Sequence, residues 1–241
     1  MAEAPGVLVT RPEPDAAALA GRLAARGWRP VLCPLLEFAA LPAEVDAEGV
    51  AALIFTSANG VRAAPADPAL RRLPVWAVGE ATAEAARAAG FGPVRAGPSD
   101  AAALAAEIAR AEGASGRLFL HLRGRHASGG LADALAAAGL RLREVEVYEM
   151  RAARRLSPAA EDALGARRIV AVPVWSPRTA KVFAALAGGR YDLSGAVAVA
   201  ISDAAAAPLG GLGFRSVRTV ANPDRREMLA ALEALRTELA A

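Results

Sequence analysis

The chain has 241 residues, of which 54% are hydrophobic, and its formal net charge is +3. This length fits one large domain or two smaller ones. One cysteine and two histidines exclude a disulfide framework and a metal set at recognised spacing, and the basic residues do not interleave with aromatics as in nucleic-acid-binding proteins. Without a secretion signal or an apolar run of about 18 residues, the protein is expected to be soluble and cytoplasmic, with no membrane partner.

Short apolar segments that end in small or polar loops alternate with segments rich in Ala and Leu. The apolar segments predict strands at Val7–Thr10, Leu53–Thr56, Val75–Val78, Leu118–Leu122, Val170–Trp175 and Val197–Ile201. The Ala- and Leu-rich segments predict helices at Ala16–Ala25, Thr82–Ala89, Ala101–Ala111, Leu131–Ala138, Thr179–Leu186 and Glu227–Leu239. Glycines after helices are expected as left-handed C-caps: Gly27, Gly90, Gly139 and Gly213. The alternation predicts an α/β fold with parallel sheets covered on both faces.

The chain carries much of its pattern twice. The segment Gly6–Phe38 corresponds to Arg117–Met150 at one constant spacing, which aligns Arg11 with Arg123. Further pairs are Ile54–Val61 with Val174–Val182, and Val75–Phe91 with Val197–Phe214. Such an internal duplication predicts two similar domains with a cleft between their loop-bearing edges. Two stretches at equivalent places break the alternation, Glu37–Leu41 and Tyr148–Ala153, and we expect them to be linkers that cross side by side.

Loops at the carboxyl ends of the predicted strands are the expected ligand-binding regions. Six of them carry hydroxyls, glycines or arginines: Thr10–Asp15, Thr56–Gly60, Val78–Thr82, Leu122–Gly130, Trp175–Thr179 and Ile201–Ala205. None has the glycine order of a phosphate loop or a dinucleotide fingerprint, which disfavours a flavin or nucleotide enzyme. His121 is expected to be partly buried in a strand and His126 exposed, and neither has a Ser or Cys partner in a recognisable motif, which disfavours triad chemistry.

Taken in order, the loop segments resemble those of the uroporphyrinogen-III synthase family. The matching segments are VTRPE (Val9–Glu13), PLLEF (Pro34–Phe38), LIFTSANGV (Leu53–Val61), VGEATA (Val78–Ala83), AGF (Ala89–Phe91), LRG (Leu122–Gly124), VYE (Val147–Glu149), WSPRTA (Trp175–Ala180) and NPDRREML (Asn222–Leu229). The resemblance implies two flavodoxin-like domains joined by a two-stranded antiparallel ladder. One would be discontinuous, residues 1–37 plus 152–241, and the other would span residues 38–151.

The resemblance also implies the activity. The enzyme would be a lyase of tetrapyrrole and haem biosynthesis that closes linear, anionic hydroxymethylbilane to uroporphyrinogen III, with inversion of ring D and loss of water. No cofactor or metal is expected, the protein would be a monomer, and the resemblance admits a transient handover from porphobilinogen deaminase. A non-catalytic two-lobed protein that binds or senses small anions would share the duplication and the cleft, and it is the alternative.

Matching the family's motifs residue by residue implies Tyr148 as the catalytic residue. The implied substrate-binding residues are Thr10, Arg11, Ser57, Asn59, Gly79, Thr82, Arg123, Gly124, Ser176 and Ser202. Six of these residues also have a structural interpretation. Tyr148 could only pack, as Leu36 does at the sister position, Thr82 could cap the helix that it begins, Ser57 and Asn59 could form a turn, and the arginines could lie on the surface.

The chain departs from the family's pattern in two loops. After LRG it reads His126-Ala127-Ser128-Gly129-Gly130, where the family usually has an acidic residue or an arginine before the helix. In the loop that corresponds to VGEATA in the second half, the hydroxyl groups are reduced to that of Ser202.

Overall fold

The chain forms two compact units in the computed structural model, which describes residues 4–98, 100–126 and 130–240. Unit 1 comprises Met1–Glu37 with Arg151–Ala241, and unit 2 comprises Phe38–Met150. The sequence prediction assigned Arg151 to the second domain, whereas it belongs to unit 1. The expected cleft between the domains stays a prediction.

Eleven strands and ten α-helices make up the described part of the chain. The strands are β1 (Gly6–Val9), β2 (Arg29–Leu32), β3 (Leu36–Ala40), β4 (Val50–Phe55), β5 (Val75–Val78), β6 (Val94–Gly97), β7 (Leu118–Gly124), β8 (Arg141–Ala152), β9 (Ile169–Val174), β10 (Val197–Ala200) and β11 (Ser216–Thr219). The helices are α1 (Asp15–Ala24), α2 (Ala58–Ala63), α3 (Pro68–Arg72), α4 (Gly79–Ala88), α5 (Ala101–Glu112), α6 (Leu131–Ala137), α7 (Pro158–Gly165), α8 (Pro177–Ala187), α9 (Asp203–Ala206) and α10 (Arg225–Ala240). All twelve predicted elements are present, with ends that agree or differ by at most three residues.

Each sheet has its apolar strands in the middle. Unit 1 has the strand order β11-β10-β9-β1-β2, and the second sheet has the order β3-β8-β7-β4-β5-β6. The pairs β1–β2, β1–β9, β9–β10 and β10–β11 are parallel, as are β4–β5, β4–β7, β5–β6 and β7–β8. Numbered along the chain, the strands of unit 1 have the order 2-1-3-4-5, which is that of flavodoxin-like folds.

Both faces of each sheet are covered, because alternate side chains of a strand point to opposite sides. In β1, Leu8 packs with Phe183 of α8, whereas Val9 packs with Leu19 of α1 and Leu232 of α10. In unit 2, β4 likewise contributes to two separate cores, one on each face. The prediction of parallel sheets with helices on both faces is confirmed.

One expected helix start is wrong. Helix α4 begins at Gly79 instead of Thr82, because Gly79 has a φ of +69°, a left-handed conformation that turns the chain into the helix three residues earlier. Thr82 therefore lies inside α4, where it is 6% exposed, and it does not cap the helix.

The left-handed glycines expected after helices are found, for example Gly90 at +76° and Gly139 at +73°. Among the helices of the described residues, none combines the length and hydropathy that a bilayer crossing requires.

Candidate functional site

Parallel α/β sheets bind ligands beyond the carboxyl ends of the strands, at the point where the connections turn to opposite sides. In unit 1 this point lies between β1, which leads to β2, and β9, which leads to β10. In unit 2 it lies between β4 and β7. The loops after β1 and β9 carry Arg11 and Ser176, and the loop after β4 carries Ser57. The predicted site residues thus fall into a group in each unit, and each group is described by itself.

Tyr148 is the centre of the group in unit 2. Its hydroxyl lies 2.9 Å from Oγ of Ser57, and its ring stacks on Phe38 with the ring centroids 5.6 Å apart. The ring also lies against the backbone of Gly124, since a Cβ atom there would be 2.6 Å from Cζ of Tyr148. The sequence left packing and chemistry as alternatives for this residue. The structure shows a packed ring with its hydroxyl held at a defined place.

A β-bulge in the pairing of β7 with β8 sets the direction of the Tyr148 side chain. Along most of β7 and β8 the pairing is regular, with Arg123 opposite Glu146, but Gly124 is opposite Tyr148, so that Val147 is an extra residue. Such a β-bulge bends its strand and redirects the neighbouring side chain. The N–H of Arg125 donates to the carbonyl of Tyr148 at 2.9 Å and fixes the backbone beyond the bulge.

The side chains of Ser57 and Asn59 form hydrogen bonds within unit 2 that stabilise its local structure. Ser57 is the N-cap of α2, and its Oγ accepts from the N–H of Gly60 at 3.4 Å. Asn59 donates from Nδ2 to Sδ of Met150 at 3.6 Å and accepts a hydrogen bond from Arg62. Ser57 therefore caps a helix, and Asn59 lies inside that helix, so the turn expected for the two residues is wrong. Their assignment to substrate binding stays a prediction.

A buried polar network lies next to this group, and the sequence did not reveal it. His121 is 2% exposed, with Nε2 3.0 Å from Oγ1 of Thr56 and Nδ1 2.9 Å from Oε1 of Glu144. Arg123 forms an ion pair with the other oxygen of Glu144 at 2.9 Å. Because a carboxylate only accepts, Nδ1 of His121 donates to Glu144, and the neutral ring accepts at Nε2 from Thr56. The expected exposure of His126 is confirmed, and His121 is buried more completely than the partial burial expected for it.

Burial lowers the pKa of His121 below its ordinary value of 6.5, and the hydrogen bond to Glu144 only partly opposes this effect. For Glu144 burial disfavours the charge, but the hydrogen bond from His121 and the charge of Arg123 prevail and lower its pKa. His121 is therefore neutral at pH 7. Arg123, expected as a carboxylate anchor, has Nη1 on Glu144, and its assignment to substrate binding also stays a prediction.

Acid is expected to destabilise the fold through His121. Since its folded-state pKa is depressed, the unfolded chain takes up the proton first, so the free energy of unfolding falls as the pH drops below about 6.5, by at most about 1.4 kcal/mol per pH unit for one proton. Urea unfolding at pH 7.5 to 5 measures this slope. His121→Asn should lower stability at pH 7.5 and flatten the slope, whereas His126→Gln, which removes the exposed histidine, should keep it. An unchanged slope in His121→Asn would contradict the assignment.

In unit 1 the predicted residues mostly hold the loops in place. Thr10 is completely buried and donates its hydroxyl to the carbonyl of Pro173 at 2.9 Å, which ties β1 to β9. Ser176 caps α8 and Ser202 caps α9, each accepting a backbone N–H of the first turn. Arg11 forms an ion pair with Asp15, and its guanidinium lies 4.9 Å above the ring of Trp175. None of these contacts tests whether the residues bind a ligand.

The described part of the chain brings together no group of three His, Cys, Asp or Glu side chains that could hold a metal ion. Residues 127–129 of the loop after β7, where the sequence departs from the family's pattern, lie outside the described residues.

Comparisons with known proteins agree on one family. A family model described as "Uroporphyrinogen-III synthase HemD" matches residues 17–230. Among solved structures, the uroporphyrinogen-III synthetase of Helicobacter pylori has 21% identity and a TM-score of 0.66, with 96% of this chain and 99% of that chain covered. A mutant uroporphyrinogen III synthase from Thermus thermophilus has 19% identity and a TM-score of 0.52, with 98% and 100% covered. At these identities the structures show a shared fold. No curated protein gives a significant match in sequence.

Proposed function

The chain belongs to the uroporphyrinogen-III synthase family, and on that premise we propose that it converts hydroxymethylbilane to uroporphyrinogen III. It would act as a lyase, because the bond between the terminal carbon and its hydroxyl breaks with loss of water. The observation that carries the proposal is the Tyr148 hydroxyl, which is held against Ser57 by a ring packed between Phe38 and the backbone of Gly124.

Tyr148 supplies the proton that the leaving group needs. A phenol donates a proton to the departing hydroxyl, which leaves as water, and the bilane becomes an electrophilic azafulvene as its pyrrole N–H gives up a proton that restores the phenol. Ser57 orients the phenol before the substrate arrives, because its Oγ lies within hydrogen-bond distance. A hydroxyl positioned in this way needs no strong acid beside it, since orientation alone lowers a barrier substantially.

Direction of the ring closure is the harder task. The azafulvene closes spontaneously to the uninverted type I isomer, so the protein has to hold the chain for attack by the substituted carbon of ring D. The resulting spiro intermediate then reopens and recloses with the ring inverted. Backbone N–H groups and arginines in the strand-end loops suit such a substrate, whose acidic arms give many anchoring points outside the reacting centre.

The proposal includes an internal duplication joined by paired linkers. It is supported by the strand order, because β8-β7-β4-β5-β6 matches β2-β1-β9-β10-β11 position by position. Two hydrogen bonds support the paired linkers: the N–H of Leu41 donates to Val147 in unit 2, and the N–H of Ala153 donates to Leu35 in unit 1. In this proposal the protein is a monomer, needs no cofactor and receives the bilane from porphobilinogen deaminase.

Product analysis tests the function directly. Purified protein mixed with freshly generated hydroxymethylbilane is expected to give uroporphyrinogen III, whereas a parallel mixture without protein gives type I only. The isomers are separated by chromatography after oxidation. Type I alone in both mixtures would reject the enzyme and favour the two-lobed anion-binding protein. That alternative predicts tight binding of the bilane or of its cyclic products without a change in the isomer ratio.

A further inference from the structure

A pocket rich in arginine lies at the carboxyl ends of β1 and β9 in unit 1. Its polar lining consists of Arg11, Asp15, Arg22, Trp175 and Arg225, and its empty volume, counted to its open mouth, is about 270 Å³. Two of its lining residues, Arg11 and Trp175, follow β1 and β9, the strands of the topological switch point where ligands of such folds bind, and Arg22 lies in the last turn of α1. The pocket opens to solvent, so a ligand that enters it can extend beyond it.

The charge of the pocket is positive and partly uncompensated. Three guanidinium groups face one carboxylate, that of Asp15, which pairs with Arg11. Neither Arg22 nor Arg225 forms an ion pair with any residue of the described chain. The neighbouring Asp224 is engaged as the cap of α10, with Oδ1 accepting the N–H groups of the next turn. The pocket is therefore arranged to take an anion.

Two residues that line the pocket each carry a buried donor atom that lacks a partner. Within the described residues, Nε of Arg11 and Nε1 of Trp175 have no hydrogen-bond partner. Buried donors are rarely left unpaired, because each loses its water without compensation. The guanidinium of Arg11 lies on the indole ring at 4.9 Å, so stacking fixes the geometry of this wall before a ligand arrives.

We propose that this pocket binds one acetate or propionate arm of the bilane, with Arg22 and Arg225 as the anchoring residues and Arg11 stacked on Trp175 as the wall. The proposal rests on the proposed function and names Arg22 and Arg225, which the sequence did not single out. A carboxylate is the matching ligand, since a guanidinium can bind both of its oxygens at once. The arm lies away from the reacting carbon, so the contact stabilises the ground state and the transition state alike.

Kinetics of single variants test the assignment. Arg22→Gln and Arg225→Gln are each expected to raise KM for hydroxymethylbilane about tenfold and to leave kcat within about twofold, as for the loss of a charged hydrogen bond. The matched control is Arg215→Gln, which removes one exposed guanidinium of unit 1 outside the pocket and should change neither constant. Arg22→Lys should restore part of the affinity, because the charge returns without the bidentate geometry.

A binding measurement separates this inference from the proposed function. Uroporphyrin III, the oxidised form of the product, retains the acidic arms, and fluorescence titration should give a Kd about tenfold higher for Arg22→Gln and Arg225→Gln than for the parent and for Arg215→Gln. If the parent forms type III product but the variants keep its KM and Kd, the pocket inference is overturned and the function stands. If inorganic phosphate at matched ionic strength protects the parent against heat, but not the variants, while KM is unchanged, the pocket is a free-anion site and the inference is equally overturned.

Discussion

Replacing Tyr148 with phenylalanine is expected to slow formation of the type III product by about 10²–10⁴-fold, the usual contribution of a positioned acid. The ring stays stacked on Phe38 and packed on Gly124, so the fold and the shape that directs ring closure are retained. The type III product that still forms on the enzyme should therefore be correctly inverted, while the rest of the bilane closes in solution to type I.

Initial rates and isomer ratios, corrected for the protein-free reaction, measure this effect. The chain has two tyrosines, and Tyr191→Phe is the matched control, because it removes a hydroxyl from the core of unit 1 and should leave the rate unchanged. If Tyr148→Phe keeps nearly the full rate, the phenol only packs, as Leu36 does at the corresponding position of the first half.

Gly124→Ala is expected to be at least as damaging, although it adds only a methyl group. The new Cβ would lie 2.6 Å from Cζ and 2.9 Å from the hydroxyl oxygen of Tyr148, so the ring has to move. Its movement breaks the hydrogen bond to Ser57 and the stacking on Phe38. We expect a loss of type III activity of about 10²-fold or more and a loss of about 1–3 kcal/mol in stability, as for other overpacked sites.

A double-mutant cycle shows whether the ring carries this effect. In a Tyr148→Ala background, Gly124→Ala should change neither the residual activity nor the melting temperature, because the space is then empty. The control is Gly21→Ala in α1, where an added Cβ meets nothing within 4 Å and alanine favours the helix. Full activity of Gly124→Ala would mean that the place of the ring is unimportant for turnover.

The sequence predicted the elements that have strong periodicity or clear ends. Strand β5 was predicted with its observed bounds, because an apolar run ends at a glycine there. The edge strands β6 and β11 were missed, since VRAG and SVRT are only partly apolar and their residues remain partly exposed. Helix α7 was missed because it is short and begins at a proline. Local pattern therefore identified the sheet centres better than the edges.

Partners within the site could not be read from local pattern. Ser57 and Tyr148 are 91 residues apart, and only the packing of β4 and β8 on either side of β7 brings their hydroxyls together. The network of Thr56, His121 and Glu144 depends in the same way on strand register, which places His121 opposite Glu144. The family motifs identified Tyr148 and Ser57 as site residues, but they did not indicate that the two hydroxyl groups lie within hydrogen-bond distance of each other.

The discontinuity of unit 1 sets an order for folding during synthesis. Unit 2 is one continuous segment, Phe38–Met150, and can fold once it has left the ribosome. Strand β1 pairs with β9, which lies more than a hundred residues later in the chain. The sheet of unit 1 therefore cannot form until β9 has been synthesised. Two strands alone are unstable in water, and the apolar side chains of β1 stay uncovered meanwhile. The core face of β1 is therefore completed only when the last third of the chain emerges.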